Sequence, residues 1–231
     1  MNKETTIITI DINGALFTID TQATAVGDLI SKKYGQEADQ LGELFLKDQE
    51  EFSKQLDAML DKDYSDDAAM CFYITIALLN SGEVEKAKKF IMPMYQKQPS
   101  NLLMGCAYAQ VISFSNPANN ISIAAVFGDT LDLDKATTER TLPLPLFLTF
   151  MEIAYGYYNE QENIRNYMLC LSYMLEVAPY HAVTQTVLSS LTNGFQDDEY
   201  DDENEDEDDQ EETLSFQEVM KNFLENLQQK Q

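Results

Sequence analysis

The most constraining feature of the chain is a pair of apolar segments that a glycine separates and a proline closes. Residues 68–80 are almost entirely apolar, Ser81-Gly82 interrupts the run, and residues 84–97 lead up to Pro99. This order predicts two antiparallel helices, because glycine readily ends a helix and proline cannot continue one. The pair spans about 34 residues, a length typical of helical repeats.

Later stretches repeat the same arrangement. In chain order, further helices are predicted at residues 102–114, 121–131, 151–159, 163–178 and 181–191. Ser115-Asn116-Pro117 separates the first two of these helices, and Pro179 closes the pair at 151–178. Residues 141–146 alternate leucine with proline, which favours an extended segment. That segment either connects two pairs with its leucines packed beneath them or imitates a bound peptide.

The pair at residues 68–99 resembles a tetratricopeptide repeat. Gly82 stands five positions before the small residue Ala87. Pro99 stands twelve positions after Ala87, where such repeats close. The resemblance covers roughly residues 68–190. It implies a solenoid of antiparallel helix hairpins whose concave surface takes an extended peptide or a helix.

The first twenty residues predict a β-hairpin. Asn13-Gly14 suits a type I′ turn, because both central residues of that turn need a positive φ. Such a turn places six side chains on one face, pairing Ile12 with Ala15, Ile10 with Phe17 and Ile8 with Ile19. An isolated hairpin is marginally stable, so we expect this face to cover the first helices. The alternative is an edge strand that pairs with a client peptide.

Residues 25–60 have the spacing of amphipathic helices. The first stretch ends before Gly35, and the second has one predicted buried stripe: Leu41, Leu44, Phe45, Phe52, Leu56, Met59 and Leu60. A polar break at residues 61–67 follows. We therefore predict a domain at 1–62, built from the hairpin and these helices, and a tetratricopeptide-like repeat domain at 63–195.

The last segment is strongly acidic. Thirteen of the sixteen residues at 197–212 are Asp or Glu. Like charges repel, and almost nothing there is apolar, so we predict a disordered acidic linker at 196–213. Ser215 and Glu218 then form a capping-box pattern, which predicts an amphipathic helix within residues 214–231. The predicted fold is thus mainly α: a helix-hairpin solenoid with an N-terminal β-hairpin and a disordered acidic C-terminal segment.

Charge and motifs exclude several function classes. Forty acidic residues face fifteen basic ones, and the net charge of -25 opposes direct binding to nucleic acid. No apolar run of about eighteen residues occurs, so we expect no membrane insertion. Phosphate-loop, dinucleotide and zinc motifs are absent, and His181 is the single histidine, which predicts a non-catalytic protein without cofactor or metal. Cys71, Cys106 and Cys170 are far apart among apolar neighbours, which indicates a cytoplasmic protein.

These exclusions leave a protein-binding module. Tyrosine provides contact area with a polar tip, and methionine adapts to varied shapes. The predicted binding residues on the concave surface and on the last helix are Tyr73, Met104, Tyr108, Tyr155, Tyr157, Tyr158, Phe216, Met220, Phe223 and Leu227. An acidic groove favours a basic peptide or amphipathic helix as the client.

The chain is also similar to the tetratricopeptide-type chaperones of bacterial type III secretion, which are small, acidic and helical. This resemblance implies a chaperone or adaptor that holds a client segment in its groove. Two other functions stay open: an acidic nucleic-acid mimic that binds a basic protein, and a structural scaffold subunit. A homodimer is also compatible with the sequence.

Overall fold

The computed structural model describes residues 7–115 and 120–193, which are mainly helical. A 3-10 helix at Val26–Leu29 precedes the α-helices. These are α1 (Gly35–Lys47), α2 (Gln49–Leu60), α3 (Ala68–Asn80), α4 (Val84–Lys97), α5 (Leu102–Ser115), α6 (Asn120–Phe127), α7 (Leu133–Ala136), α8 (Leu144–Glu160), α9 (Ile164–Val177) and α10 (Ala182–Asn193). Three strands form one small sheet: β1 (Ile7–Ile12), β2 (Ala15–Asp20) and β3 (Thr141–Pro143).

The N-terminal hairpin has the predicted register. Its strands pair Ile12 with Ala15, Ile10 with Phe17 and Ile8 with Ile19. Asn13 and Gly14 have φ values of 54° and 87°, as a type I′ turn requires. The N–H of Gly14 donates to Asp11 Oδ1 at 2.7 Å, which stabilises the turn.

The hairpin does not cover the first helices, so that expectation is wrong. β2 pairs in parallel with β3, and the N–H of Thr18 donates to the carbonyl of Arg140 at 2.8 Å. β1 packs on α9 and β2 packs on α8. The apolar face of the hairpin is therefore buried against helices that lie more than a hundred residues later in the chain.

The helices of the predicted pairs are present. α3 and α4 begin and end at the predicted residues, while α5, α9 and α10 differ from the prediction by one or two residues. The Asp67 side chain caps α3 by accepting from the N–H of Met70. Gly82 has a φ of 76° between α3 and α4, a conformation that glycine adopts without strain.

Four predicted boundaries are wrong. α6 ends at Phe127 instead of residue 131, and Gly128 follows it with a φ of 84°. The first stretch forms only the 3-10 helix, and Gly35 begins α1 instead of ending a helix. Asp48 separates α1 from α2 and caps α2 by accepting from the N–H of Glu51. α8 begins at Leu144, because Pro145 lies in the first helical turn, where no N–H donor is needed. Of the segment predicted to be extended at residues 141–146, only Thr141–Pro143 is extended.

The helices pack in sequence order. α3 contacts α4 and α5, and α4 also contacts α5. α5 contacts α6 and α8, α6 contacts α8, and α8 contacts α9. In the pairs α3–α4 and α5–α6, both helices therefore contact the first helix of the next pair. None of the helices in the described part of the chain is both long and apolar enough to cross a bilayer.

The contacts group the described residues up to 192 into one compact unit, and residues on both sides of the boundary predicted at 62 belong to it. The break at Asn116-Pro117, the acidic linker at 196–213 and the helix at 214–231 lie outside the described residues. The division into domains therefore stays a prediction.

Candidate protein-binding surface

A groove runs along α1 toward α3, near the start of the helical stack. Six of its nine described lining residues belong to α1, two belong to the 3-10 helix, and Tyr73 is the one from α3. Its volume is about 540 Å³, and Ala38, Gly42 and Leu46 of α1 face Tyr73 of α3 across it. A smaller recess of about 130 Å³ adjoins the groove and shares Gly42 and Tyr73 with it. The recess is almost wholly apolar, with these other lining residues: Leu41, Phe45, Phe52, Ile76, Ala77 and Asn80.

Tyr73 is the predicted binding residue that lies in this groove. Its hydroxyl donates to the carbonyl of Ala38 at 3.4 Å, a long hydrogen bond. A Cβ on Gly42 would lie 3.0 Å from the same hydroxyl, so glycine lets the ring approach α1 closely. Burial, and secondarily the Asp39 carboxylate, raise the pKa of Tyr73. The phenol is therefore neutral and half-buried, with its remaining surface facing the groove.

Two large apolar side chains beside the groove remain exposed. The exposed fraction is 40% for Phe45 and 81% for Leu46. Phe45 contacts Phe52 of α2 edge to face, with ring centroids 5.2 Å apart. Leu41, one turn before Phe45, is fully buried. Helix α1 thus carries more apolar surface than its contacts with α2 and α3 cover.

The rim of the groove is acidic. Asp28, Asp39 and Glu43 line it, and no basic residue does. Asp28 accepts from the N–H groups of Thr24 and Ala25, and Glu43 pairs with Lys47 at 3.0 Å. Asp39 is exposed and has no hydrogen-bond or ion-pair partner among the described residues. The groove therefore combines a negative edge with an adjoining recess that is mainly apolar.

Four other predicted binding residues lie in the core. Met104 of α5 is completely buried, and Tyr155, Tyr157 and Tyr158 of α8 are more than nine-tenths buried. The hydroxyl of Tyr158 donates to the carbonyl of Thr130, and that of Tyr157 donates to the carbonyl of Asp129 at 3.2 Å. These side chains offer almost no surface to a client, because β2, β3, α5, α6 and α9 surround α8.

Tyr108 lies neither in the groove nor in the core. Its ring stacks on Tyr95 of α4, with centroids 5.0 Å apart and planes inclined by 22°. It is partly exposed, but it lines neither the groove nor the recess. The structure therefore does not bring the predicted tyrosines together on one surface. Phe216, Met220, Phe223 and Leu227 lie outside the described residues.

Sequence reasoning missed the exposed part of the groove. The helical spacing predicts Phe45 in a buried stripe and does not single out Leu46. The signal was the run Leu44-Phe45-Leu46. Three consecutive residues spread over about 200° of a helix, which is wider than a stripe of about 100° buried against one neighbour.

The described residues also bear on reactive chemistry. They contain no group of three or more His, Cys, Asp or Glu side chains placed to hold a metal ion. Burial raises the pKa of Cys71 and Cys170 to about 12 and also raises that of Cys106, so all three are protonated thiols. His181 Nε2 lies 3.2 Å from the carbonyl oxygen of Thr24. This contact ties the start of α10 to the segment after β2.

Comparison of the chain with protein-family models, with curated proteins and with solved structures finds no match.

Proposed function

We propose that the protein is a non-catalytic binding module, a chaperone or adaptor that holds a segment of another protein in the groove between α1 and α3. The observation that carries this proposal is the exposed apolar surface of Phe45 and Leu46 beside the groove. Contiguous apolar surface on a soluble domain commonly marks a protein-interaction site. The adjoining recess gives an incoming apolar side chain a place to be buried.

The packing of the helices supports a tetratricopeptide-like solenoid. In such repeats each helix pair stacks on the next, and each repeat contacts mainly its neighbours. The contacts from α3 through α9 follow this order. Within that reading, α1 and α2 form an additional pair before α3. The proposed groove then lies between the first helices of two successive pairs.

The proposed place of action is the cytosol, in keeping with a type III secretion chaperone-like role. All three cysteines are free and buried. Free thiols persist in a reducing compartment, which supports this location.

Site-specific photo-crosslinking in the native host tests the proposal. A photoreactive amino acid in place of Leu46 should form adducts with another protein, because that side chain borders the groove. Tyr180 is the matched control, since it is 88% exposed and belongs to neither α1 nor α3. Discrete adducts from position 46 that are absent from position 180 support the proposal. Equal adducts at both positions, or none at position 46, contradict it.

A further inference from the structure

The walls of the groove favour one kind of occupant. The lining comes mainly from α1, with Tyr73 of α3 and two residues of the 3-10 helix, and the backbone N–H and C=O groups of these helices are mostly hydrogen-bonded within each helix. An extended peptide would leave its own backbone groups unpaired against such walls, at a cost in free energy. A helix satisfies its backbone internally and needs only side-chain contacts.

The dimensions of the groove also fit a helix. On α1 its lining runs from Gly35 to Leu46, eleven residue steps or about 16 Å along the axis. This length accommodates the residues i, i+4 and i+7 of an amphipathic helix, which anchor such helices in grooves. Gly42 of α1 and Ala77 of α3 both line the adjoining recess and have small or no side chains. They leave the recess open to an apolar side chain of the bound helix.

The charge of the rim indicates the chemistry of the occupant. Asp28, Asp39 and Glu43 would face the polar flanks of a helix lying in the groove. Lysine or arginine at those flanks would place opposite charges together and speed association. The chain's own stretch from Phe216 to Leu227 fits less well, because thirteen carboxylates precede it in the sequence.

We propose that the groove takes an amphipathic helix of a partner protein, with apolar residues at i, i+4 and i+7 and with Lys or Arg on both flanks. The inference rests on the proposed function and specifies its partner. Phe45 and Leu46 cover the apolar stripe of the bound helix, and the recess beside Tyr73 receives its central side chain.

Three synthetic peptides test this proposal in fluorescence-anisotropy titrations with the full chain. The first carries a leucine stripe with lysine flanks, and the second replaces the lysines by glutamates. The third has the composition of the first but a central proline, which prevents a continuous helix. We expect the lysine peptide to bind, and the glutamate and proline peptides to bind at least about tenfold more weakly.

Two pairs of protein variants localise the binding. Leu46→Ser should weaken binding of the lysine peptide about tenfold, whereas Tyr180→Ser, at an equally exposed apolar position, should not change it. Asp39→Asn should weaken binding about two- to fivefold. Asp129→Asn removes the same charge outside the groove and should have a smaller effect.

The outcomes distinguish failure of the basic-helix inference from failure of the proposed function. Equal binding of the proline or glutamate peptide, or equal effects of the two aspartate variants, overturns the basic-helix inference even if Leu46 forms crosslinks in cells. Binding that appears only after residues 194–231 are deleted would assign the groove to the chain's own segment and also overturn it. Failure of all three peptides overturns the inference, and the absence of crosslinks at Leu46 overturns the proposed function itself.

Discussion

Helices α1 and α8 differ in how far they bury their large side chains. At α8, Tyr158 is 7% exposed and Phe150 is 1% exposed, although neither side chain has a special sequence pattern. At α1, Phe45 and Leu46 are exposed in spite of being apolar. The difference lies in the neighbours, because strands and helices surround α8 while α1 has α2 on one side and the groove on another.

This comparison shows why the type of residue does not by itself identify a binding surface. An aromatic side chain becomes core when neighbouring elements cover its helix on all sides. It becomes available to a partner when one neighbour is missing. Between α1 and α3 a groove is open, and the apolar side chains of Phe45 and Leu46 border it.

The largest expected effect is a difference in stability between two alanine variants, one at Phe150 of α8 and one at Phe45 of α1. Phe150→Ala should lower the free energy of unfolding by about 3–5 kcal/mol, because Phe150 is buried edge to face on Phe127 with centroids 5.3 Å apart. Phe45→Ala should cost about 1 kcal/mol or less, since much of that ring already contacts water. Urea unfolding of both variants measures the difference. Equal costs would show that α1 is packed as tightly as α8.

Features with a local signal could be predicted from the sequence, whereas features set by long-range packing could not. The register of β1 and β2 could be predicted because Asn13-Gly14 and the alternation of apolar residues agree locally. The bounds of α3 and α4 could be predicted because Gly82 and Pro99 mark them. The pairing of β2 with β3 joins residues about 120 positions apart, and no local pattern encodes it.

The burial of Met104 and the α8 tyrosines depends on the same long-range packing. α3, α4, α6 and α8 enclose the helix of Met104, and β2, β3, α5, α6 and α9 enclose α8. No helical periodicity reveals these neighbours. The run Leu44-Phe45-Leu46 did carry a local signal, because its apolar surface is too wide for one buried stripe.

A smaller effect should appear in the dependence of stability on pH. A hydrogen bond from Tyr64, and secondarily one from Lys62, hold the pKa of Glu37 below its ordinary value. Burial raises the pKa of Glu152 on α8, and that carboxyl has no hydrogen-bond or ion-pair partner within the described residues. The two carboxyls therefore affect folding with opposite signs.

The signs follow from proton linkage. Glu37 stabilises the folded state above the unfolded pKa of about 4.3, and that contribution is lost as the pH falls through its lower folded pKa. Ionised Glu152 destabilises the folded state, increasingly as the pH rises through its raised folded pKa. At pH 7, Glu37→Gln should therefore lower stability and Glu152→Gln should raise it, and both differences should vanish in acid. Urea unfolding from pH 3 to 7 checks this, and shifts of the same sign would contradict it.

The most direct test of the account is an NMR map of the lysine-flanked leucine peptide on the isotopically labelled chain. If the peptide binds in the groove, we expect the largest amide shift changes within α1 and α3, centred on Gly42, Phe45, Tyr73 and Ala77. We expect little change in α8 and α9. Shift changes concentrated in α8, α9 or β1 at saturating peptide would contradict the claim that the groove between α1 and α3 is the binding surface.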